Sequence, residues 1–372
     1  MKIIIVGAGA SGITAAISLK RKYKDADILM IEHLDKPLKK ILATGNGKCN
    51  LGNAKLDINN YNNPNFVRPI LEKYGYKEQK EFFESINVKT KLMGDLEYPL
   101  SESAVTVRNA LLDECERLNV KIHLSESVNA YNVTDKDIKV RTNSGIYSAD
   151  KLIFAIGGKS SPNLGSDGSL YSLLEKHGYK FGKIKPGLCP ITTKENTRTI
   201  DGVRVKGNVS LLKEGKLIHK ESGEVLFRSH GLSGIVIMNL SRLIAKETTA
   251  HYQIKIDMLE DEDVSSLKAY LTKHDEDKYL KAFFHPKLVE YIKANKLDVI
   301  KASKELTFNF SDLSGYENSQ VSVGGILLNQ INDDLSSKKE RGVYFVGELL
   351  DIDGPCGGYN LMWAFASGLF IK

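Results

Sequence analysis

The first residues that could do chemistry form a glycine-rich turn near the N-terminus. A β-branched run over residues 3–6 leads into Gly7-Ala8-Gly9-Ala10-Ser11-Gly12, a G-x-G-x-x-G pattern. In such a turn the first glycine permits a tight strand-to-helix connection, and the second lets the backbone approach a pyrophosphate. The third allows close helix–strand packing, while the helix N-terminus offers unpaired N–H groups to the anion. The pattern predicts a dinucleotide site.

An acidic residue follows at the spacing that a dinucleotide site requires. Glu32 lies 20 residues after Gly12, at the end of the next predicted strand. A carboxylate there accepts hydrogen bonds from both hydroxyls of an adenosine ribose, and it disfavours a 2′-phosphate.

Near the end of the chain an apolar run again leads into a glycine turn, and the residues that follow bear on the identity of the dinucleotide. Residues 343–346 form an apolar run that leads into Gly347-Glu348, and Gly357-Gly358-Tyr359-Asn360 precedes an apolar helix. A carboxylate such as Glu348 can accept from a ribityl hydroxyl, and helix N–H groups can stabilise negative charge on a reduced flavin. These features favour FAD, and a nicotinamide-only dehydrogenase remains an alternative.

A polar loop after the second strand supports a flavin. Residues 41–50 contain Gly45-Asn46-Gly47-Lys48-Cys49-Asn50 and too little apolar content for a core segment. Lys39, Lys40 and Lys48 bring positive charge to this loop. We expect the loop to lie beside the cofactor.

The elements that position these residues follow from hydrophobic patterns. Buried parallel strands are predicted at residues 2–6, 26–31, 151–156 and 342–346. Helices are predicted at residues 11–21, 101–118 and 260–305, and short strands at residues 121–123, 128–133, 138–142 and 306–310. Turn signals within residues 191–240 predict antiparallel β-structure, and Gly324-Gly325 is expected to lead into a strand at residues 326–328. We therefore expect a nucleotide-binding domain built from both ends of the chain, with a central insertion.

Composition excludes several classes of protein. The 372 residues are 42% hydrophobic and 26% charged, as in globular proteins, and no apolar run is long enough to span a bilayer. The net charge of +6 comes from scattered lysines, a weak basis for nucleic-acid binding. Four separated cysteines argue against a disulfide scaffold or a zinc ribbon. We expect a cytoplasmic protein that binds no metal, no nucleic acid and no membrane.

Four segments together resemble one family. They are the loop at residues 37–53, Ala155-Ile156-Gly157-Gly158-Lys159-Ser160-Ser161-Pro162, Gly231-Leu232-Ser233-Gly234, and the ending from Gly347 to Leu361. They are similar to the aminoacetone oxidase-like, NAD(P)/FAD-dependent oxidoreductase flavoproteins, which include flavin reductases of bile-acid intermediates.

The resemblance implies an α/β fold: a two-dinucleotide-type FAD-binding Rossmann domain, an inserted β-barrel-like domain and a small helical domain. The boundaries we expect are 1–190 with 321–372 for the FAD-binding domain, 191–255 with 306–320 for the β-rich domain, and 256–305 for the helical domain. The glycine loop would then line the flavin ring, Glu348 and the turn at residues 357–360 would hold the ribityl chain and ring, and backbone near Val128 would hold the adenine.

The predicted function is that of an FAD-dependent oxidoreductase which transfers hydride between a small organic substrate and the flavin. Oxygen or NAD(P)H, bound transiently, would close the cycle, and a flavin-carrying RNA-modifying or regulatory protein is a further alternative. No catalytic residue is assigned; Cys49 and Cys356 could form a redox pair, although buried structural cysteines are commoner. The candidate cofactor-binding residues are Gly7, Gly9, Ala10, Ser11, Gly12, Glu32, His33, Lys40, Gly45, Asn46, Gly47, Lys48, Cys49, Asn50, Val128, Ala155, Gly157, Gly158, Gly347, Glu348, Asp353, Gly358, Tyr359 and Asn360.

Overall fold

The computed structural model describes residues 1–372. Its strands are β1 Lys2–Val6, β2 Asp27–Ile31, β3 Gly52–Asn53, β4 Thr90–Met93, β5 Leu96–Pro99, β6 Lys121–His123, β7 Val128–Val133, β8 Ile138–Thr142, β9 Ile146–Ala149, β10 Lys151–Phe154, β11 Lys185–Gly187, β12 Ile191–Thr193, β13 Arg204–Lys213, β14 Lys216–Arg228, β15 Gly231–Ser233, β16 Tyr252–Asp257, β17 Leu306–Leu313, β18 Val321–Val323 and β19 Val343–Phe345. Its helices are α1 Ala10–Lys22, α2 Lys39–Ala43, α3 Pro64–Lys73, α4 Tyr76–Ser85, α5 Ala104–Arg117, α6 Tyr171–Lys176, α7 Ile235–Ala245, α8 Val264–Lys273, α9 Glu276–Phe283, α10 Pro286–Ala294, α11 Val299–Glu305 and α12 Tyr359–Phe370.

The chain divides into two compact units. The first combines Met1–Lys185 with Val321–Lys372, and the second is Pro186–Gln320. Both ends of the chain therefore contribute to one unit, and the middle of the chain forms the other. The finer division into three domains stays a prediction.

A five-stranded parallel sheet forms the centre of the first unit. Its strand order is β19-β10-β1-β2-β6, and β1 pairs with both β10 and β2. Ile3, Ile4 and Ile5 are at most 2% exposed, because β-branched side chains fill both faces of a parallel sheet covered by helices. The parallel order brings the carboxyl ends of β1, β2, β10 and β19 to one edge, and the predicted strands at these positions are confirmed.

Helices α1 and α12 pack against each other in the first unit. The Ser18 Oγ donates to the Leu369 carbonyl at 3.1 Å. A Cβ on Gly368 would lie 2.2 Å from Thr14 Oγ1, so the small residue permits this close approach. The first and last helices of the chain are thereby packed against each other.

Two small antiparallel sheets complete the first unit. One has the strand order β3-β5-β4, and the other has the order β7-β8-β9. The alternating burial of β8, with Ile138, Val140 and Thr142 inside, is the pattern expected when one face of a sheet is covered.

The second unit contains a closed barrel with the strand order β12-β15-β14-β13-β16-β17. The predicted antiparallel structure is confirmed up to Ser233, and the predicted helical character of residues 260–305 is confirmed as α8–α11. The prediction is wrong at residues 235–240, where α7 begins. The apolar run Ile235-Val236-Ile237-Met238 resembles a buried strand, but burial of Val236, Ile237, Leu240 and Ile244 gives the period of a helix instead.

A second correction concerns the segment after Gly324-Gly325. The predicted strand at residues 326–328 is absent: Ile326 makes only isolated bridges to Phe181 and Leu350, and a 3₁₀ turn follows at Leu328–Gln330. The Ile326 N–H donates to the Leu349 carbonyl at 2.9 Å, so single bridges satisfy the backbone here.

None of the helices combines the length and the apolar content needed to cross a bilayer.

Candidate functional site

The turn after β1 has the geometry that its three glycines predict. Gly7 has φ +100°, and a Cβ there would lie 2.6 Å from the Ala155 carbonyl oxygen, so only glycine fits. A Cβ on Gly12 would lie 2.1 Å from the Gly7 carbonyl oxygen, which explains the close packing of helix on strand. Gly9, by contrast, has nothing within 4 Å of its Cβ position. The space beside Gly9 is therefore open, as the close approach of a pyrophosphate to the backbone requires.

Helix α1 begins at this turn with its first N–H groups uncapped. Gly9 provides no side-chain cap, the first turn contains no acid, and the last turn carries Lys20, Arg21 and Lys22. The N-terminus of such a helix favours an anion, because its N–H groups and its dipole are both positive there. Ala10 and Ser11 open the helix, and a Cβ on Gly347 would lie 2.5 Å from Ser11 Oγ.

Glu32 lies at the carboxyl end of β2 with its carboxylate held in place. Its side chain is buried; Oε2 accepts from the Ala8 N–H at 2.8 Å, and Oε1 accepts from the Leu34 N–H at 3.0 Å. Each carboxylate oxygen has a second acceptor position, so the group can still bind hydroxyls. Glu32 is thus hydrogen-bonded directly to the glycine turn, through the Ala8 N–H.

Two further predicted residues lie near Glu32. His33 Nδ1 is 3.2 Å from Glu32 Oε1. Val128 begins β7 two residues after Glu126, whose N–H donates to the Glu32 carbonyl at 2.9 Å. The residues expected on the adenosine side are therefore linked through the backbone around Glu32.

Lys40, Glu348 and Gly158 form a second cluster, from three distant parts of the chain. Lys40 Nζ is 2.8 Å from Glu348 Oε2, and Glu348 Oε1 accepts from the Ser322 N–H at 2.7 Å. A Cβ on Gly158 would lie 2.5 Å from Glu348 Oε1 and 2.7 Å from Ser322 Oγ. The glycine after β10 is therefore needed for the Glu348 carboxylate to sit where it does.

The glycine loop adopts a left-handed backbone at several successive positions. Gly45, Asn46, Gly47 and Cys49 all have φ between 54° and 82°. The Cys49 N–H donates to the Thr44 carbonyl at 3.0 Å, which closes the loop. Cys49 is fully buried, and this burial raises the pKa of its thiol to about 12. Asn50 Oδ1 is buried without a hydrogen-bond partner, an orphaned acceptor in this loop.

The lysines of this region are each paired with an acid. Lys39 Nζ is 2.6 Å from the exposed Asp35 carboxylate, and Lys48 Nζ is 2.6 Å from Glu102 Oε2. Hydrogen bonds from Lys48 and Lys91 lower the pKa of Glu102 to about 2. The positive charge expected beside the loop is therefore largely compensated.

The C-terminal turn presents the N-terminus of α12. Gly357 and Gly358 have φ of 103° and 93°, and α12 begins at Tyr359 with no side-chain cap and no acid in its first turn. The Asn360 side chain accepts from the Gly354 N–H and donates to the Gly354 carbonyl, both at 2.9 Å. This pair of bonds fixes the loop that leads into the helix.

Two predicted residues of this turn are tied into the packing. The Tyr359 hydroxyl accepts from the Asp57 N–H at 3.2 Å and from Asn60 Nδ2 at 2.9 Å. Asp353 is 1% exposed, and its N–H donates to Asn62 Oδ1 at 2.9 Å. Tyr359 is thus held by polar contacts with the segment at residues 57–60.

Sequence reasoning missed three residues of this region. Ser322 holds Glu348 through its N–H, Glu102 pairs with Lys48, and Ser166 Oγ lies 3.0 Å from the Cβ position of Gly157 and has no hydrogen-bond partner. All three lie outside any motif, so their types and spacing give no signal.

These residues fit FAD. Two uncapped helix N-termini suit a pyrophosphate and a flavin edge, the open space at Gly9 suits a close backbone approach, and Asn50 Oδ1 and Ser166 Oγ provide free polar atoms. No group of three His, Cys, Asp or Glu side chains is arranged to hold a metal ion.

Comparison with known proteins agrees with this geometry. The HI0933-like protein Rossmann domain family matches residues 1–371. A 3-dehydro-bile acid delta(4,6)-reductase of Clostridium scindens is 35% identical over 99% of this chain and 97% of its own length. A ribosomal RNA dihydrouridine synthase of Escherichia coli is 26% identical over 98% and 95%.

A solved structure shares the fold at low identity. The 3-ketosteroid delta1-dehydrogenase of Sterolibacterium denitrificans, crystallised with 1,4-androstadiene-3,17-dione, has a TM-score of 0.52 at 10% identity, covering 99% of this chain and 98% of that one. The family match over residues 1–371 and the relative at 35% identity do not support the nicotinamide-only alternative: the chain belongs to the HI0933-like family of FAD-binding Rossmann proteins and is an FAD-dependent oxidoreductase.

Proposed function

We propose that this chain reduces a carbon–carbon double bond conjugated to a carbonyl group in a small organic substrate. The observation that carries the proposal is the 35% identity to a 3-dehydro-bile acid delta(4,6)-reductase over 99% of the chain. The name of that relative describes double bonds in conjugation with a 3-oxo group. Reduction of such a bond requires a hydride at the carbon far from the carbonyl and a proton, from solvent, at the carbon next to the carbonyl; bound reduced FAD would supply the hydride with its two electrons.

The side chains of the first unit provide what this reaction needs from the protein. FAD, when bound, supplies the hydride chemistry, and the protein supplies binding, orientation and electrostatics. The uncapped N-terminus of α12 can stabilise negative charge at a flavin edge. Glu348, held by Lys40 and the Ser322 N–H, is oriented to accept from ribityl hydroxyls.

We further propose that NAD(P)H supplies the electrons and binds only transiently. The chain has one G-x-G-x-x-G pattern, at residues 7–12. Gly157-Gly158 leads to Pro162 and a short 3₁₀ turn rather than to a helix of the length that a second pyrophosphate site uses.

The two relatives named ribosomal RNA dihydrouridine synthases, at 26% and 27% identity, support a second candidate, because uracil also contains a double bond conjugated to a carbonyl. Binding of ribosomal RNA depends on a strongly basic surface. The second unit, residues 186–320, carries 20 Lys and Arg residues against 19 Asp and Glu. This near balance favours a small organic substrate over RNA.

The test uses the FAD-loaded protein, reduced in the absence of oxygen and then mixed with matched substrates. A 4-en-3-one steroid and 2-cyclohexenone are expected to restore the visible absorbance of oxidised flavin. The corresponding saturated 3-oxo steroid is expected to leave the flavin reduced. Reoxidation by uridine-containing RNA but by neither enone would contradict the proposal and favour the second candidate.

A further inference from the structure

Three buried oxygen atoms without hydrogen-bond partners belong to residues around one small cavity. They are Gln79 Oε1, Thr90 Oγ1 and Glu97 Oε1, from α4, β4 and β5. Gln79 and Glu97 are each 3% exposed. All three residues line a cavity of about 10 Å³. Buried polar atoms are rarely left unpaired, because desolvation without a hydrogen bond is costly.

The neighbouring bonds define which hydrogen-bonding role each atom has left. Gln79 Nε2 donates to the Tyr74 carbonyl at 2.8 Å and to the Met362 carbonyl at 3.1 Å, so the amide cannot be flipped without facing two acceptors. Glu97 Oε2 accepts from the Tyr76 hydroxyl at 2.7 Å. Two acceptors, Gln79 Oε1 and Glu97 Oε1, and one hydroxyl donor, on Thr90, therefore remain.

We propose that this cavity binds one water molecule as an integral part of the fold. The water donates its two hydrogens to Gln79 Oε1 and Glu97 Oε1 and accepts the Thr90 hydroxyl hydrogen. A cavity of about 10 Å³ holds one water and no organic ligand. Water satisfies the Thr90 hydroxyl as a donor and both remaining oxygens as acceptors at the same time, and the experiment below distinguishes it from a cation.

The bound water joins elements that support the candidate flavin site. Gly52, on β3, lines the same cavity, and its Cβ position is 2.9 Å from Met362 Sδ on α12. On the other side, a Cβ on Gly358 would lie 2.6 Å from the Gly52 carbonyl carbon. The water thus links α4 and the β4–β5 hairpin beside β3, and the turn before α12 packs against β3.

A crystal structure of the FAD-loaded protein at atomic resolution, grown in rubidium salt, tests the site. We expect one density peak, about 2.6–3.2 Å from all three oxygens and without anomalous signal from rubidium. An anomalous peak would identify a cation site. Lys80 also lines the cavity. Density for its ammonium group at the three oxygens, or a cavity without any density, would equally overturn the proposal.

A solution measurement on two variants of Thr90 provides an independent check. Thr90→Val removes the hydroxyl with almost no change in shape, and we expect the melting temperature to fall by about 2–4 °C. Thr90→Ser keeps the hydroxyl donor, and its melting temperature should fall by less than half as much. A valine variant as stable as the serine variant would show that the hydroxyl has no partner in the cavity.

Discussion

Lys40 and Glu348 are 308 positions apart in the sequence, yet their Nζ and Oε2 atoms lie 2.8 Å apart. The pair joins the segment before the glycine loop to the segment after β19. The Glu348 carboxylate is held on its other side by the Ser322 N–H. A candidate ligand of the ribityl chain is thus oriented by two groups from different parts of the first unit.

The first prediction follows from this pair. In Lys40→Met the Glu348 carboxylate loses its charged partner, and we expect the dissociation constant for FAD to rise about tenfold. Lys40→Arg should recover part of the affinity. The matched control is Lys39→Met, which removes only a surface pair with Asp35 and should change the dissociation constant less than twofold. Fluorescence titration of the apoprotein measures all three, and equal effects of the two methionine variants would refute the role of Lys40.

The second prediction separates cofactor binding from folding at the glycine turn. Gly9→Ala places its methyl group in open space, so the apoprotein should keep its melting temperature while FAD binding weakens at least about tenfold. Gly12→Ala forces a Cβ to within 2.1 Å of the Gly7 carbonyl oxygen and should cost about 1–3 kcal/mol of folding stability. Thermal unfolding by circular dichroism and flavin absorbance report the two effects. Normal FAD content in Gly9→Ala would contradict the site.

The third prediction concerns the four cysteines. Burial raises the pKa of the Cys49 and Cys115 thiols to about 12 and also raises that of Cys189, whereas Cys356 is only half-buried. The thiolate is the reactive form, so at pH 8 a group with a raised pKa stays protonated and unreactive. We expect iodoacetamide to modify Cys356 first in the native protein and all four residues in the denatured protein. Peptide mass spectrometry identifies the sites, and early modification of Cys49 would show that its loop opens.

The fourth prediction concerns the reductant. Because the chain has a single G-x-G-x-x-G pattern, we expect FAD to bind tightly and NAD(P)H to bind weakly. Calorimetric titration of the FAD-loaded protein with an unreactive NADH analogue should give a dissociation constant well above micromolar. A sub-micromolar site that coexists with bound FAD would reveal a second nucleotide site.

Local patterns were sufficient to predict much of the fold and part of the site. The apolar runs of β1, β2 and β10 identify buried parallel strands, and glycines follow two of them, Gly7 after β1 and Gly157-Gly158 after β10. The G-x-G-x-x-G spacing correctly placed Gly7, Gly9 and Gly12 in a turn that opens a helix. The acid at Glu32 was placed correctly at the end of β2, because chain spacing within one β-α-β unit is nearly fixed.

Long-range relationships could not be predicted from the sequence. Nothing in the residue types signals that Ser322 holds Glu348, or that Glu102 pairs with Lys48, because such pairs depend on tertiary packing. The same reason explains the error at α7, where the apolar run Ile235–Met238 has strand-like composition and the barrel environment selects a helix. Sequence patterns thus identified the residues that make backbone turns, and the structure identified the partners that orient their neighbours.

The central claim is that FAD held by this chain reduces a double bond conjugated to a carbonyl. The most direct test is a single turnover under anaerobic conditions, in which the reduced, FAD-loaded protein reacts with excess 4-en-3-one steroid and the product is analysed by mass spectrometry. We expect one molecule of product per bound FAD, heavier than the substrate by two hydrogen atoms and with its carbonyl intact. Recovery of unchanged steroid with the flavin still reduced, or reduction at the carbonyl to an alcohol, would contradict it.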